Sequence, residues 1–221
     1  MLAKSNDPTR RSFRLLTPQR WYRLLLFFAH KYRVHGISAT VFMVDRAPGE
    51  VLRAKLEEAL RLLRDIDPRR FTRLQRHVSL IWMRPLPRCA AAIWVKNIGV
   101  CIVRDGFVLD EATRPVHLAS VLVHETTHAW LDAIGIRTHD DPAYRVRVER
   151  ICVRAEIAFA RRAGEMELVE EHLEALRAGD LVITPEKWNH GMADLIVDVG
   201  GSSRFARALA RLARWRLLRS G

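Results

Sequence analysis

Apolar residues recur with the spacing of an α-helix along most of this chain. The clearest stripe predicts a helix over residues 50–66 that ends before Pro68. It consists of Leu52, Leu56, Ala59, Leu63 and Ile66. Proline, glycine and small polar residues mark the ends of the other helical segments. These predicted helices cover residues 18–34, 115–135, 142–163, 165–178 and 203–218, and one more starts at residue 185.

Between residues 78 and 110 the pattern changes to short β-branched or aromatic runs, which predict strands. Asp105-Gly106 stands between two apolar runs and indicates a hairpin turn. The predicted strands are Val78–Met83, Ala92–Lys96, Gly99–Val103 and Phe107–Asp110. The pattern therefore predicts an α+β fold, in which a small, mostly antiparallel sheet precedes a helical C-terminal half.

The pattern divides the chain into a basic tail (residues 1–17), a single domain (18–201) and a basic amphipathic helix (202–221). A chain of 221 residues, 49% of them hydrophobic, can bury one substantial core. Its three cysteines form no C-x-x-C pair, which argues against disulfides and cysteine-zinc sites and favours the reducing cytoplasm. No apolar run approaches the roughly 18 residues of a membrane span.

The net charge of +12 is unevenly distributed. Residues 1–88 carry +12, residues 89–203 carry −6 and residues 204–221 carry +6. Basic ends favour anionic partners, so residues 203–219 are a candidate for peripheral contact with an anionic membrane. Arginine accounts for 32 of the 37 basic residues, which is typical of a GC-rich bacterial genome. A solvated arginine surface explains this charge without a specific nucleic-acid partner.

The acidic centre contains the motif His124-Glu125-Thr126-Thr127-His128. On a helix, His124 and His128 lie one turn apart on the same face and can bind one zinc ion together. Glu125 lies beside them, where its carboxylate can take a proton from a water that the metal activates. Chance alone predicts about 0.02 such motifs in a chain with 9 His and 13 Glu. The bulky apolar flanks are typical of an active-site helix inside a core.

A catalytic zinc site needs a third protein ligand and leaves the fourth position to water. The three-histidine class is excluded, because the Gly and His that it requires after the second histidine are absent. The spacing favours Glu149 on the next predicted helix, with Glu156 on the same face and the cluster at residues 139–141 as alternatives. A nearby carboxylate should also hold the outer nitrogen of a ligating histidine, a role open to Glu156 or Asp132.

Two strings resemble a known family. His124–Leu131 is similar to the active-site helix of the peptidase domain in the plant LIM-domain metallopeptidases that restrict organ growth. Val148–Cys152 is similar to their downstream segment Val-Glu-Glu-Gly-Ile-Cys, with one residue fewer. The resemblance covers about residues 117–156 and extends to the gluzincins, the thermolysin-like peptidases. It implies a zincin-like fold, zinc ligation by His124, His128 and Glu149, and Glu125 as general base.

These observations predict a cytoplasmic zinc endopeptidase that acts on a protein or peptide substrate. We expect a substrate strand to pair with a sheet edge within residues 93–103. The developing oxyanion needs a donor, for which Tyr144, His139 and His190 are candidates. His190 is favoured because it lies in a polar Trp188-Asn189-His190-Gly191 segment. The alternative is a zinc-stabilised binding or regulatory protein without turnover, associated with a membrane surface through its basic ends.

Overall fold

A computed structural model of the chain describes residues 30–41, 46–136, 142–179 and 181–200. In these ranges the chain forms one sheet and seven α-helices, and most of the residues are helical. The strands are β1 (His30–Val34), β2 (Ile37–Val41), β3 (Leu80–Arg84), β4 (Ala92–Val95) and β5 (Val100–Arg104). The helices are α1 (Arg46–Ile66), α2 (Pro68–His77), α3 (Asp105–Leu109), α4 (Pro115–Ala133), α5 (Pro142–Ala163), α6 (Met166–Ala178) and α7 (Pro185–Gly200).

The five strands lie in the order β1-β2-β3-β5-β4. β1 pairs with β2, and β4 with β5, in the antiparallel sense, whereas β3 lies parallel to both β2 and β5. The prediction of a mostly antiparallel sheet is therefore wrong, and the fold is mixed α and β. The reason is the long segment between β2 and β3, which forms α1 and α2 and lets the chain cross over and return in the same direction.

The segment before β2 forms a strand where the apolar pattern predicts the end of a helix. His30–Val34 is strand β1, and His35 and Gly36 turn the chain with φ angles of 48° and 81°. A turn with two left-handed residues reverses the chain tightly, and glycine adopts this conformation at little steric cost. Tyr32 thus packs against the core from a strand. Residues 18–29 and the basic tail 1–17 lie outside the described residues.

Asp105-Gly106 begins a helix and not a hairpin, so the predicted strand Phe107–Asp110 is also wrong. The Asp105 carboxylate accepts a hydrogen bond from Gly106 N at 2.6 Å, and an acidic residue in the first turn favours a helix. Val108, a residue of this helix, is fully buried. A short apolar run of this kind fits either a strand or a buried helical turn.

Helix α2 begins at Pro68, the residue that the sequence predicts only as the end of the preceding helix. Asp67 caps it, because its carboxylate accepts a hydrogen bond from Arg70 N at 3.2 Å. The same carboxylate forms ion pairs with the Arg70 side chain and, at 2.5 Å, with Arg162 Nη2 at the end of α5. Asp67 therefore both starts α2 and ties it to α5.

The other helix predictions within the described residues are confirmed. α1, α4, α5, α6 and the start of α7 lie within a few residues of their expected positions. The stripe Leu52, Leu56 and Leu63 of α1 is fully buried in the main core, beside one face of the sheet. None of the described helices is long and apolar enough to cross a membrane. The predicted helix over residues 203–218 lies outside the described ranges.

Candidate metal centre

Helix α4 carries the motif through the centre of the molecule. The helix has Pro115 in its first turn and ends where Gly135 takes a φ of 85°. α1, α2, α5 and the sheet strands β4 and β5 all pack against it, so residues on almost every side of α4 are buried. This surrounding core fixes the directions in which the motif side chains point.

His124 lies between two carboxylates of α5. Its Nε2 is 3.1 Å from Glu149 Oε2, and its Nδ1 is 2.9 Å from Glu156 Oε2. Glu149 and Glu156 are two helical turns apart on one face of α5, so both reach the motif helix. The two candidate carboxylates therefore contact different nitrogens of the same imidazole.

Three atoms that could bind a metal form a triangle. His128 Nε2 lies 3.2 Å from His124 Nε2 and 3.5 Å from Glu149 Oε2, and the third side of the triangle is the 3.1 Å contact of His124 with Glu149. Four ligands at zinc bond lengths of roughly 2.0–2.1 Å stand about 3.3 Å apart in a tetrahedron. The triangle thus has the size of one face of a tetrahedral metal site.

The charges of these groups depend on one another. Burial raises the pKa of Glu149, but hydrogen bonds from His124 and His128 outweigh it and bring that pKa to about 2. Burial lowers the pKa of His128, but contacts with Cys152 and Glu149 raise it to about 10. At His124, burial is likewise outweighed by the Glu156 and Glu149 carboxylates, and its pKa lies well above the ordinary value. Protons and a metal ion would therefore compete for these nitrogens.

Cys152, to which the motif spacing gives no role, lies against the same histidines. Its sulfur and the nitrogens of His124 and His128 lie within 4.8 Å of one another, and this group could hold a metal ion. The register of the two helices explains the contact, because His128 follows His124 by one turn and Cys152 precedes Glu156 by one turn. Cys152 therefore lies beside His128, one helical turn from the place where Glu156 lies beside His124. Its place on the Glu149–Glu156 face of α5 was readable from the sequence.

Glu125 is 6% exposed and lines the same cavity as His124 and His128. Burial raises its pKa, and the nearby histidine charges only partly oppose this effect. A carboxylate with a raised pKa is a better proton acceptor than an ordinary surface glutamate. Glu125 is therefore buried, close to the ligand triangle and suited to accept a proton.

A cavity of about 990 Å³ opens over these side chains. Strand β4 contributes one wall through Ile93 and Trp94, and the start of α7 contributes another through Trp188 and Asn189. β4 is the edge strand on this side of the sheet, and β5 is its partner. The cavity therefore combines a polar floor with an edge strand along one side.

Asp132 holds this edge strand and does not contact a motif histidine. Its carboxylate accepts hydrogen bonds from Trp94 Nε1 at 2.6 Å and from Lys96 Nζ at 2.8 Å. The Asp132 side chain is 7% exposed, so these bonds are largely shielded from water. The carboxylate that contacts the second ring nitrogen of a motif histidine is thus Glu156, and Asp132 instead fixes β4 to the end of α4.

The structure does not bring His190 into the cavity. Residues 188–191 belong to helix α7, so the expected polar turn is a helical turn. The His190 side chain is 85% exposed, and its Nε2 lies 3.9 Å from Asp194 one turn later. Its neighbours Trp188 and Asn189 line the cavity, and the next helical step of about 100° turns His190 away from it.

The two other expected oxyanion donors do not enter the described cavity. Tyr144 packs beside Leu131, Val148 and Cys152, and it is not among the residues that line the cavity. His139 lies outside the described residues, together with Asp140 and Asp141, the remaining alternatives for a third ligand.

A polar pair behind Glu156 has no signal in the sequence. His172 Nε2 on α6 lies 3.2 Å from Ser120 Oγ on α4 and 3.9 Å from Glu156 Oε1. The pair lies beside the Glu156 oxygen that does not contact His124. No periodicity relates these residues, because the contact arises only when α6 packs near the helix pair.

The chain therefore gathers His124, Glu125, His128, Glu149 and Glu156 into one site at the floor of a cavity. Of the predicted site residues, Asp132 and His190 stand apart from this group. No protein-family model, curated protein or solved structure matches the chain, so the geometry of the site carries the functional argument.

Proposed function

We propose that the chain is a zinc-dependent peptidase with His124, His128 and Glu149 as metal ligands. The observation that carries this proposal is the triangle of their ligand atoms, with sides of 3.1, 3.2 and 3.5 Å. Two imidazole nitrogens and one carboxylate oxygen at these separations suit a tetrahedral zinc site with one position left for water or substrate. The zincin-like architecture belongs to the same proposal, supported by the mixed sheet and the central motif helix beside its edge strand.

A bound zinc ion would polarise the scissile carbonyl and lower the pKa of a coordinated water towards neutrality. Glu125 accepts the proton of the attacking water and later donates it to the leaving amine. Its raised pKa suits both steps, because the carboxylate gains and loses a proton more evenly than an exposed glutamate. Glu156 accepts a hydrogen bond from His124 Nδ1 and so keeps the ring in one orientation, with Nε2 directed to the metal.

The cavity wall indicates the substrate class. Among the described strands β4 pairs only with β5, so an extended peptide can add its backbone hydrogen bonds to the other edge of β4, and β4 itself lines the cavity above the motif. Asp132 stabilises this edge by binding Trp94 and Lys96 at the far end of β4. A peptide held in this way presents a carbonyl to the site, which favours endopeptidase activity.

The test is a comparison of the purified protein with its Glu125→Gln variant. We expect zinc to bind both proteins, and we expect the variant to lose about 10²- to 10⁴-fold in peptide hydrolysis because a general base is removed. Glu111→Gln, at an exposed glutamate, is the matched control and should keep full activity. Retained turnover in Glu125→Gln, or no cleavage of a peptide library by the zinc-loaded parent, would contradict the proposal.

One observation favours a second function, a metal-stabilised binding protein without turnover. Cys152 lies close enough to His124 and His128 to count as a ligand. If its thiolate joined Glu149 at the metal, all four positions would be filled, as in structural zinc sites. The cobalt(II)-substituted protein distinguishes the two functions, because a thiolate ligand adds a strong near-ultraviolet charge-transfer band that an imidazole–carboxylate site lacks.

A further inference from the structure

Arg145 is a cationic residue in the wall of the catalytic cavity. It lies on α5 one turn before Glu149 and lines the cavity together with His128 and Glu125. Its side chain is partly buried, unlike the exposed Arg147 and Arg150 of the same helix. The sequence pattern does not distinguish Arg145 from Arg147 and Arg150. The difference in exposure arises from the packing of α5 against α4.

The surroundings of Arg145 are rich in carboxylates, yet none of them is its partner. Glu125, Glu149 and Glu156 all line the cavity. Within the described ranges, no ion pair or hydrogen bond engages the Arg145 guanidinium, whereas Glu149 and Glu156 contact the motif histidines. Lys187 also lines the cavity but is already engaged in another interaction. Arg145 is thus a partly buried cation that the described carboxylates leave available to a ligand in the cavity.

We propose that Arg145 binds a carboxylate of the peptide substrate and makes the enzyme select acidic substrates. This inference rests on the proposed peptidase function, because it assigns a substrate to the same cavity. A guanidinium presents paired N–H donors that match the two oxygens of a carboxylate. Glu125, Glu149 and Glu156 would repel an acidic peptide, and a cation in the cavity wall offsets part of that repulsion. The carboxylate comes either from an Asp or Glu side chain near the scissile bond or from the C-terminus of the peptide.

The obvious alternative is that Arg145 supports the ligand Glu149, since the two are one turn apart on α5. That role predicts an ion pair between them, and the structure has none within 4.0 Å among the described contacts. It also predicts that a change at Arg145 weakens zinc binding. Substrate recognition predicts the opposite, an unchanged zinc affinity together with an altered preference among peptides.

The experiment measures peptide binding to the zinc-loaded Glu125→Gln protein, so its outcome does not depend on turnover. Fluorescence anisotropy compares labelled peptides that carry Asp or the isosteric Asn at each position around the scissile bond, each with a free or an amidated C-terminus. We expect the acidic peptides to bind at least about 10-fold more tightly, as a charge-assisted hydrogen bond predicts. The position or terminus that carries the effect identifies the source of the carboxylate.

Arg145→Gln, added to this background, should abolish the preference and leave the affinity for neutral peptides and for zinc within about twofold. Arg145→Glu should reverse it, so that a Lys-containing peptide binds better than its Asp counterpart. Arg147→Gln, on the exposed side of α5, is the matched control and should change nothing. A preference for acid that survives Arg145→Gln, an equal loss for acidic and neutral peptides, or a weakened zinc affinity would overturn the proposal. If acidic peptides bind but the parent cleaves none, the peptidase function fails while this recognition stands.

Discussion

The contact between Glu156 and His124 allows a quantitative test of how α5 supports the proposed metal site. Glu156 Oε2 lies 2.9 Å from His124 Nδ1, and the carboxylate side chain is 7% exposed. Glu156→Gln keeps an acceptor oxygen of the same size and removes only the charge. A hydrogen bond to a charged group is worth roughly 1.5–3 kcal/mol and a neutral one roughly 0.5–1.5. The difference of about 1–1.5 kcal/mol corresponds to a roughly 5- to 12-fold loss of zinc affinity.

Glu156→Ala and Glu149→Gln complete the series. Glu156→Ala removes the acceptor altogether, so its loss should reach the upper part of the range of about 10- to 100-fold that such supporting residues show. Glu149→Gln removes a proposed ligand and should lose the most. Glu174→Gln, at an exposed glutamate of α6, is the control.

Zinc affinities are measured by competition with a chromogenic chelator, and circular dichroism of each metal-free variant checks that it folds. The expected order of loss is Glu149→Gln, then Glu156→Ala, then Glu156→Gln. If Glu156→Gln binds zinc as tightly as the parent, His124 does not depend on this contact. If Glu156→Gln loses more than Glu149→Gln, the two carboxylates have exchanged roles and Glu156 is the ligand.

Three further predictions concern neighbouring residues. Asp132→Asn weakens a charged hydrogen bond to Trp94 and should destabilise the protein by about 1 kcal/mol, which lowers Tm by about 2–4 °C. Zinc affinity should stay unchanged. An unchanged melting curve would contradict the role of Asp132 in fixing β4. With the proposed ligands His124, His128 and Glu149, Cys152 contacts His128 without binding the metal, so Cys152→Ser should leave the near-ultraviolet spectrum of the cobalt(II) protein unchanged. Loss of a charge-transfer band would instead make Cys152 a ligand. Neighbouring carboxylates raise the pKa of His124, and contacts with Cys152 and Glu149 raise the pKa of His128 to about 10, so zinc uptake at pH 7 should displace protons from these imidazoles. A calorimetric heat that is the same in buffers of different ionisation enthalpy would refute this.

Local patterns were sufficient for the motif helix and its carboxylates. His124 and His128 needed only a helix through residues 115–133, and the apolar flanks and Pro115 predict that helix well. Glu149 and Glu156 share a face of α5, so once the two helices pack together they reach the same imidazole from different sides. The positions of these four side chains depend on the helical period and on the packing of α4 against α5. The sequence shows the period directly, and the short segment between the two helices favours their packing.

Long-range packing decided the rest. β3 lies parallel to β2 because α1 and α2 form the crossover between them, and it lies parallel to β5 because β4 takes the outer position beside β5. Asp132 is one of two carboxylates that the sequence offers to a motif histidine, whereas the folded edge strand brings Trp94 to it. His190 failed for a related reason, because its environment depends on which side of α7 faces the cavity.

All the proposed ligands and the carboxylate behind them come from two consecutive helices. A metal bound there would act as a cross-link that closes one stretch of chain between α4 and α5. Because the entropy of closing such a loop grows only slowly with its length, about 0.6 kcal/mol per doubling, the connection can lengthen at little cost. An insertion inside α5 is different, since each added residue rotates the remainder of the helix by about 100°. One extra residue between Glu149 and Glu156 would leave the first on the metal and turn the second away from His124.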